Sequence, residues 1–138
     1  MTDEWKEVIA NWKGGSGFVG TNSGGALVQI GIVDGQQGAS PMELILLGLA
    51  GCTGVDIASI LSKMRQNLVD LRITVRGLRA PEHPRIYTQI EVLYELWGEG
   101  LSPKFVEDAI DLSENKYCSA SAMLSASAEI KTRYVIHT

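Results

Sequence analysis

The stretch from Ser40 to about Arg65 constrains the fold of this chain more than any other. Ser40-Pro41-Met42-Glu43 combines a serine N-cap, a proline suited to the first helical position and a glutamate placed to close a capping box. After it, Ile45, Leu46, Leu49, Thr53, Ile57, Ile60, Leu61 and Met64 recur at helical spacing. Such a helix spans about 35 Å at the usual rise per residue, which is long for a chain of 138 residues. From Leu44 to Ala58 it is apolar or small on almost every face, with Asp56 its only charge, and it carries Gly48, Gly51 and Gly54. Glycine inside a helix costs about 1 kcal/mol relative to alanine, so these glycines point to close packing against a neighbouring helix or sheet. One short chain has little with which to surround such a helix, and a second copy is expected to supply part of its cover.

The flanking sequence alternates with period two. Val8, Ala10 and Trp12, then Phe18-Val19, then Ala26 to Val33 with Val28, Ile30 and Ile32 on one face, read as a meander of strands separated by Gly14-Gly15 and Asn22-Ser23-Gly24-Gly25. Beyond the long helix, Leu71, Ile73 and Val75 form one strand; Ile86, Ile90, Val92, Tyr94 and Leu96 form another after the Pro81-Glu82-His83-Pro84 loop. Leu101-Ser102-Pro103 opens a second helix, with Ser102 as cap, Leu101 and Val106 as a staple, and Phe105, Val106, Ala109 and Ile110 as its buried stripe. A short Ala/Ser segment leads to a last strand carrying Ile130, Thr132, Tyr134 and Ile136. The expected order, βββ-α-ββ-α-β, is that of an α+β fold in a single domain over residues 1–138.

The formal net charge of −4 argues against a nucleic-acid partner, because no excess of basic residues exists to displace phosphate counterions. The apolar run from Leu44 to Ala50 is broken by Gly48 and soon followed by Asp56, so a buried helix is expected rather than a membrane span. Met1-Thr2-Asp3-Glu4-Trp5-Lys6 is polar and shows no export signal, and a cytoplasmic location is expected.

The chemistry-bearing residues are two cysteines, Cys52 and Cys118. Each taken alone reads first as a small buried hydrophobe. A pair reads differently: a thiolate oxidised to a sulfenic acid needs a second thiol to trap it before irreversible overoxidation. Which reading holds depends on whether folding brings the α-carbons to roughly 5.5–6 Å. His83 and His137 show none of the short paired spacings of a structural zinc site, so no metal is expected. Asp56, one turn after Cys52, reads as a polar anchor bonded across a dimer.

Ser40-Pro41-Met42-Glu43-Leu44 with Ala50-Gly51-Cys52-Thr53, His83-Pro84 before a strand, and Ser113-Glu114 with Lys116-Tyr117-Cys118-Ser119 resemble the OsmC/Ohr family. The resemblance implies an intertwined homodimer in which two long central helices are wrapped by sheets built from both chains. It also implies that Cys52 is the peroxidatic thiolate attacking an organic hydroperoxide, that Cys118 resolves it, and that a dithiol or lipoylated protein restores both, with no bound cofactor. In catalytic members an N-terminal arginine, paired with a glutamate directly after the cap proline, holds the thiolate. Here Met42 follows Pro41, Glu43 comes one residue later, and no arginine precedes Arg65. Glu43 is therefore both a catalytic candidate and a capping residue. A non-catalytic dimer binding a hydrophobic ligand and a thiol redox sensor are the alternatives.

Overall fold

The structure is a computed structural model that describes residues 4–138; the reading of Met1-Thr2-Asp3 lies outside them. In chain order the elements are β1 (Val8–Gly14), β2 (Gly17–Asn22), β3 (Leu27–Ile30), β4 (Ile32–Val33), β5 (Gln36–Gln37), α1 (Pro41–Lys63), β6 (Asp70–Arg79), β7 (Tyr87–Trp97), α2 (Pro103–Leu112), a π-helical turn (Ser113–Tyr117), α3 (Ser119–Leu124) and β8 (Glu129–His137). The fold is α+β, and its main elements follow the expected order. The chain divides into two compact units, one ending at Ile45 and one beginning at Leu46.

In the first unit, β1, β2 and β3 form an antiparallel sheet in that order. The expected strand from Ala26 to Val33 does not run through. Gly31 has φ +68°, and a Cβ there would lie 2.2 Å from the Ser16 carbonyl oxygen, so the backbone turns where only glycine fits. Ile32-Val33 then pairs with Gln36-Gln37 as a separate two-residue hairpin. Val28 and Ile30 therefore share a strand, and Ile32 does not continue it. The start of α1 is closed as its sequence dictates: Ser40 N–H donates to Glu43 Oε1 at 2.8 Å, and Glu43 N–H donates to Ser40 Oγ at 3.2 Å.

In the second unit the sheet order is β6-β7-β8. β6 and β7 are antiparallel; β7 and β8 are parallel, which requires the long crossover through α2, the π turn and α3. The central strand β7 buries Ile90, Val92, Tyr94 and Leu96 on one face, and the same core takes Leu49, Thr53, Ile57 and Leu61 from α1. That four-residue interval makes a single narrow stripe of the helix. Gly54 lies against the sheet, where a Cβ would stand 2.9 Å from Ile73 Cδ1.

Away from that stripe α1 is open. Leu47 and Val55 are exposed, and a Cβ on Gly48 or Gly51 would meet nothing within 4 Å. The helix has 23 residues and, by length and composition alone, is long and apolar enough to cross a membrane; 22% of its most apolar window is buried within the chain. Glycine and threonine interrupt the apolar run in the sequence without making the helix polar, so the expectation of a buried helix rather than a membrane span rests on a run that understates the helix's apolar length.

Helix α2 starts on Ser102, whose side chain accepts from Phe105 N, and it buries Val106, Ala109 and Ile110. Leu101 is buried too, while Phe105, expected in that stripe, is exposed. The Ala/Ser segment after Cys118, expected to be a connector, is the short helix α3.

Candidate active site

Cys52 lies midway along α1, immediately before the buried Thr53, and is half-buried rather than fully enclosed. Cys118 lies at the junction of the π turn and α3 and is 3% exposed. Its position follows from local structure. The Cys118 N–H donates to the Ser113 carbonyl at 2.7 Å, closing the wide π turn. Its backbone then becomes extended, and its sulfur caps α3 by accepting the Ser121 N–H at 3.3 Å. A π turn followed at once by a cap leaves the side chain pointing inward.

The two thiols lie close enough to influence each other electrostatically. Burial pushes the Cys118 thiol above its ordinary range and contact with Cys52 adds to this, while Ser121 opposes both. The Ser121 hydroxyl is buried beside the sulfur with no partner in hydrogen-bond geometry, which leaves it available to a thiolate once one forms. The arrangement keeps Cys118 protonated at rest and supplies donors for its ionised form.

A polar network surrounds the pair. The Ser113 hydroxyl, fully buried, donates to Asp56 Oδ2 at 2.9 Å and so fastens the π turn to α1. The anchor expected to reach across a dimer is thus made inside one chain. Tyr94 donates its phenolic proton to Glu114 Oε2 at 2.6 Å, and Thr132 reaches both carboxylate oxygens at 2.9 and 2.8 Å. Thr53, whose hydroxyl donates to the Leu49 and Ala50 carbonyls at 3.2 and 3.3 Å, lies beside the same phenol. Burial first, then the bond to Glu114, pushes the Tyr94 hydroxyl far above the usual phenol range.

Glu43 carries the capping box described above, with its carboxylate on the Ser40 N–H. His137 stacks on Trp97 at 4.6 Å between ring centroids and approaches Glu95 at 3.4 Å. Among the described residues, no group of three or more His, Cys, Asp or Glu side chains is placed to hold a metal ion. Sequence reasoning had not singled out Tyr94, Thr132 or Ser121. Tyr94 was legible only as a core position of a strand, and its hydroxyl needs a partner that lies 20 residues away.

Comparison with known proteins decides the family. The OsmC-like protein family matches residues 34–133, a span that holds both cysteines. The chain belongs to that family. Protein YhfA of Escherichia coli K12 is 34% identical over 125 residues, covering 91% of this chain and 93% of YhfA. The crystal structure of a hypothetical protein from Aquifex aeolicus VF5 shares 36% identity, covers 98% of each chain and superposes with TM-score 0.88. The organic hydroperoxide resistance protein OhrB of Bacillus subtilis is 18% identical with TM-score 0.65, covering 96% of this chain and 98% of OhrB; it shares the fold. The resemblance carried by the cysteine motifs is therefore a family relationship, and the OsmC/Ohr fold is the fold of this chain.

Proposed function

We propose that this OsmC-like chain is a thiol-dependent peroxidase that reduces organic hydroperoxides. The observation that supports the reading is the proximity of the Cys52 and Cys118 thiols, carried by segments far apart in the chain and near enough for one to shift the proton affinity of the other. The Cys52 thiolate attacks the terminal oxygen of the hydroperoxide, the O–O bond breaks, and the alkoxide leaves and takes a proton to become an alcohol. Cys52 is left as a sulfenic acid. The Cys118 sulfur then attacks the Cys52 sulfur; hydroxide departs with the proton that Cys118 gives up, leaving water and a disulfide. A dithiol reductant opens that disulfide by thiol–disulfide exchange and restores both thiols. Half-burial suits Cys52 to meet substrate, and near-complete burial suits Cys118 to wait for the oxidised partner. Glu43 is given no step, since its carboxylate serves the cap.

The working unit in this proposal is a homodimer. The support is the open side of α1, where among the described residues Leu47 and Val55 are exposed and a Cβ on Gly48 or Gly51 would meet nothing within 4 Å.

One organic hydroperoxide, cumene hydroperoxide, tests the reading against hydrogen peroxide with a dithiol present. Reduced protein should lose two hydrogens in its intact mass, the Cys118→Ser variant should stop at a trappable Cys52 sulfenic acid, and Cys52→Ser should not turn over. A wild-type protein that yields neither species ends the proposal. The alternative, a non-catalytic binder of a hydrophobic ligand, draws on the absence of any arginine before Arg65. It predicts slow peroxide consumption that Cys52→Ser leaves unchanged.

A further inference from the structure

The phenol of Tyr94 reaches towards both cysteine-bearing segments. Tyr94 is fully buried on the central strand β7. Its hydroxyl lies beside Thr53, the residue after Cys52, and its proton goes to Glu114 at 2.6 Å, four residues before Cys118. Thr132, on the neighbouring strand β8, holds the same carboxylate from the other side. The strands themselves are fixed in register, with Val92 opposite Thr132 and Tyr94 opposite Tyr134. The carboxylate is thus clamped to the sheet by two hydroxyls.

The clamp matters because of where Glu114 lies. It is the second residue of the π turn, whose wide loop closes through the Cys118 N–H bond to Ser113. A π turn is an uncommon way to end a helix, and surrounding contacts hold it in place. Here those contacts are Glu114 on the sheet and Ser113 on Asp56. Relaxation to an α-turn would rotate every side chain after Ser113, Cys118 included, about the helix axis.

We propose that Tyr94 is a positioning residue for disulfide closure: by gripping Glu114 while resting on Thr53, it holds the Cys118 sulfur in register with Cys52. This deepens the peroxidase reading and rests on it for its purpose, although the geometric claim concerns the two sulfurs alone. Tyr94 touches no substrate. It sets how fast the second sulfur reaches the first, and has no part in how fast the first is oxidised. The hydrogen bond is what positions: a neutral amide oxygen at residue 114 still accepts the phenol's proton, through a weaker bond than the carboxylate makes.

Diamide, an azo oxidant that takes two hydrogens from a dithiol, tests this without peroxide. It becomes a hydrazine as one thiolate adds to its N=N bond and the second displaces it. In Tyr94→Phe, which removes one oxygen and keeps the ring, closure of the Cys52–Cys118 disulfide should slow by about tenfold, the scale of one lost bond to a charged group. Alkylation of Cys52 in a Cys118→Ser background should change by less than about twofold on adding Tyr94→Phe, since the clamp acts on the second sulfur. Glu114→Ala should slow closure like Tyr94→Phe, and Glu114→Gln should recover most of that loss. Closure in Tyr94→Phe at the wild-type rate, or an equal fall in closure and in Cys52 alkylation, would overturn the proposal; the second result would mean general loosening of the core. If diamide closes the disulfide with the expected Tyr94 dependence while cumene hydroperoxide leaves the wild type untouched, the positioning role stands and the peroxidase reading falls.

Discussion

The hydroxyl of Ser113 donates to the Asp56 carboxylate across 2.9 Å, joining residues 57 positions apart. Ser113 is fully buried and also supplies the carbonyl that closes the π turn. Its hydroxyl is thus the link between the helix that carries Cys52 and the turn that presents Cys118. Ser113→Ala should destabilise the fold by about 1–3 kcal/mol, because a half-buried carboxylate loses its donor. Asp56→Asn keeps an oxygen for the hydroxyl and should cost less. Urea denaturation of the two variants beside wild type checks the order; a Ser113→Ala protein as stable as wild type would show that water replaces the serine at no cost.

The capping box gives a second prediction, and it separates the two roles that the sequence allowed Glu43. Ser40→Ala should lower stability by about 1 kcal/mol. Glu43→Gln should change stability little, since glutamine also completes the box. If the carboxylate has no chemical role, peroxide turnover in Glu43→Gln should stay near wild type while the thermal midpoint barely moves. A large loss of turnover with an unchanged midpoint would return Glu43 to the reaction.

How much of this was legible beforehand differs by element. The start of α1 was readable because its signal is local: serine, proline and glutamate act within one turn. The strands β6 and β7 were readable because one wet face imposes period two, and Leu71, Ile73 and Val75 fall on the inner side as expected. The break at Gly31 was not, since its reason is the approach of the Ser16 carbonyl from another part of the chain. Helix α3 was hidden because its cap is a cysteine sulfur, which no capping preference encodes. The cysteines could be named as a pair from their types and motifs, but their contact depends on the π turn, and no period in the sequence marks a helix that widens for one turn.

The Cys118 thiol carries a pH prediction. Its proton is held more tightly in the folded state than in the unfolded chain, where a thiol loses its proton near 9.0. Stability from the protonated thiol is therefore complete below that value and is lost as pH rises through the higher folded one. Wild type should lose stability above about pH 9 more steeply than Cys118→Ala. Tyr94, also pushed up, adds a loss of the same sign in both proteins and largely drops out of the difference, because Cys118 is the smallest of the causes that raise it. The rate of disulfide closure should rise over the same range, because the attacking species is the thiolate. Parallel denaturation curves for the two proteins across that range would show that Cys118 ionises as freely folded as unfolded.

The open side of α1 yields the last prediction, on assembly. Among the described residues, a Cβ at Gly48 or Gly51 would meet no atom within 4 Å. Replacing each with alanine should then raise stability by about 1 kcal/mol through helix propensity alone. If the same face packs against a second copy, the result reverses in sign, because the small residues are what let two helices approach. Gly51→Leu decides between these most sharply. In a homodimer it should drive the protein towards monomers in sedimentation, and Gly48→Ala with Gly51→Ala should lower the midpoint of unfolding in a concentration-dependent way. Wild type that sediments as a monomer at micromolar concentration, with both alanine variants more stable than it, would leave the apolar face of α1 without a second copy to cover it.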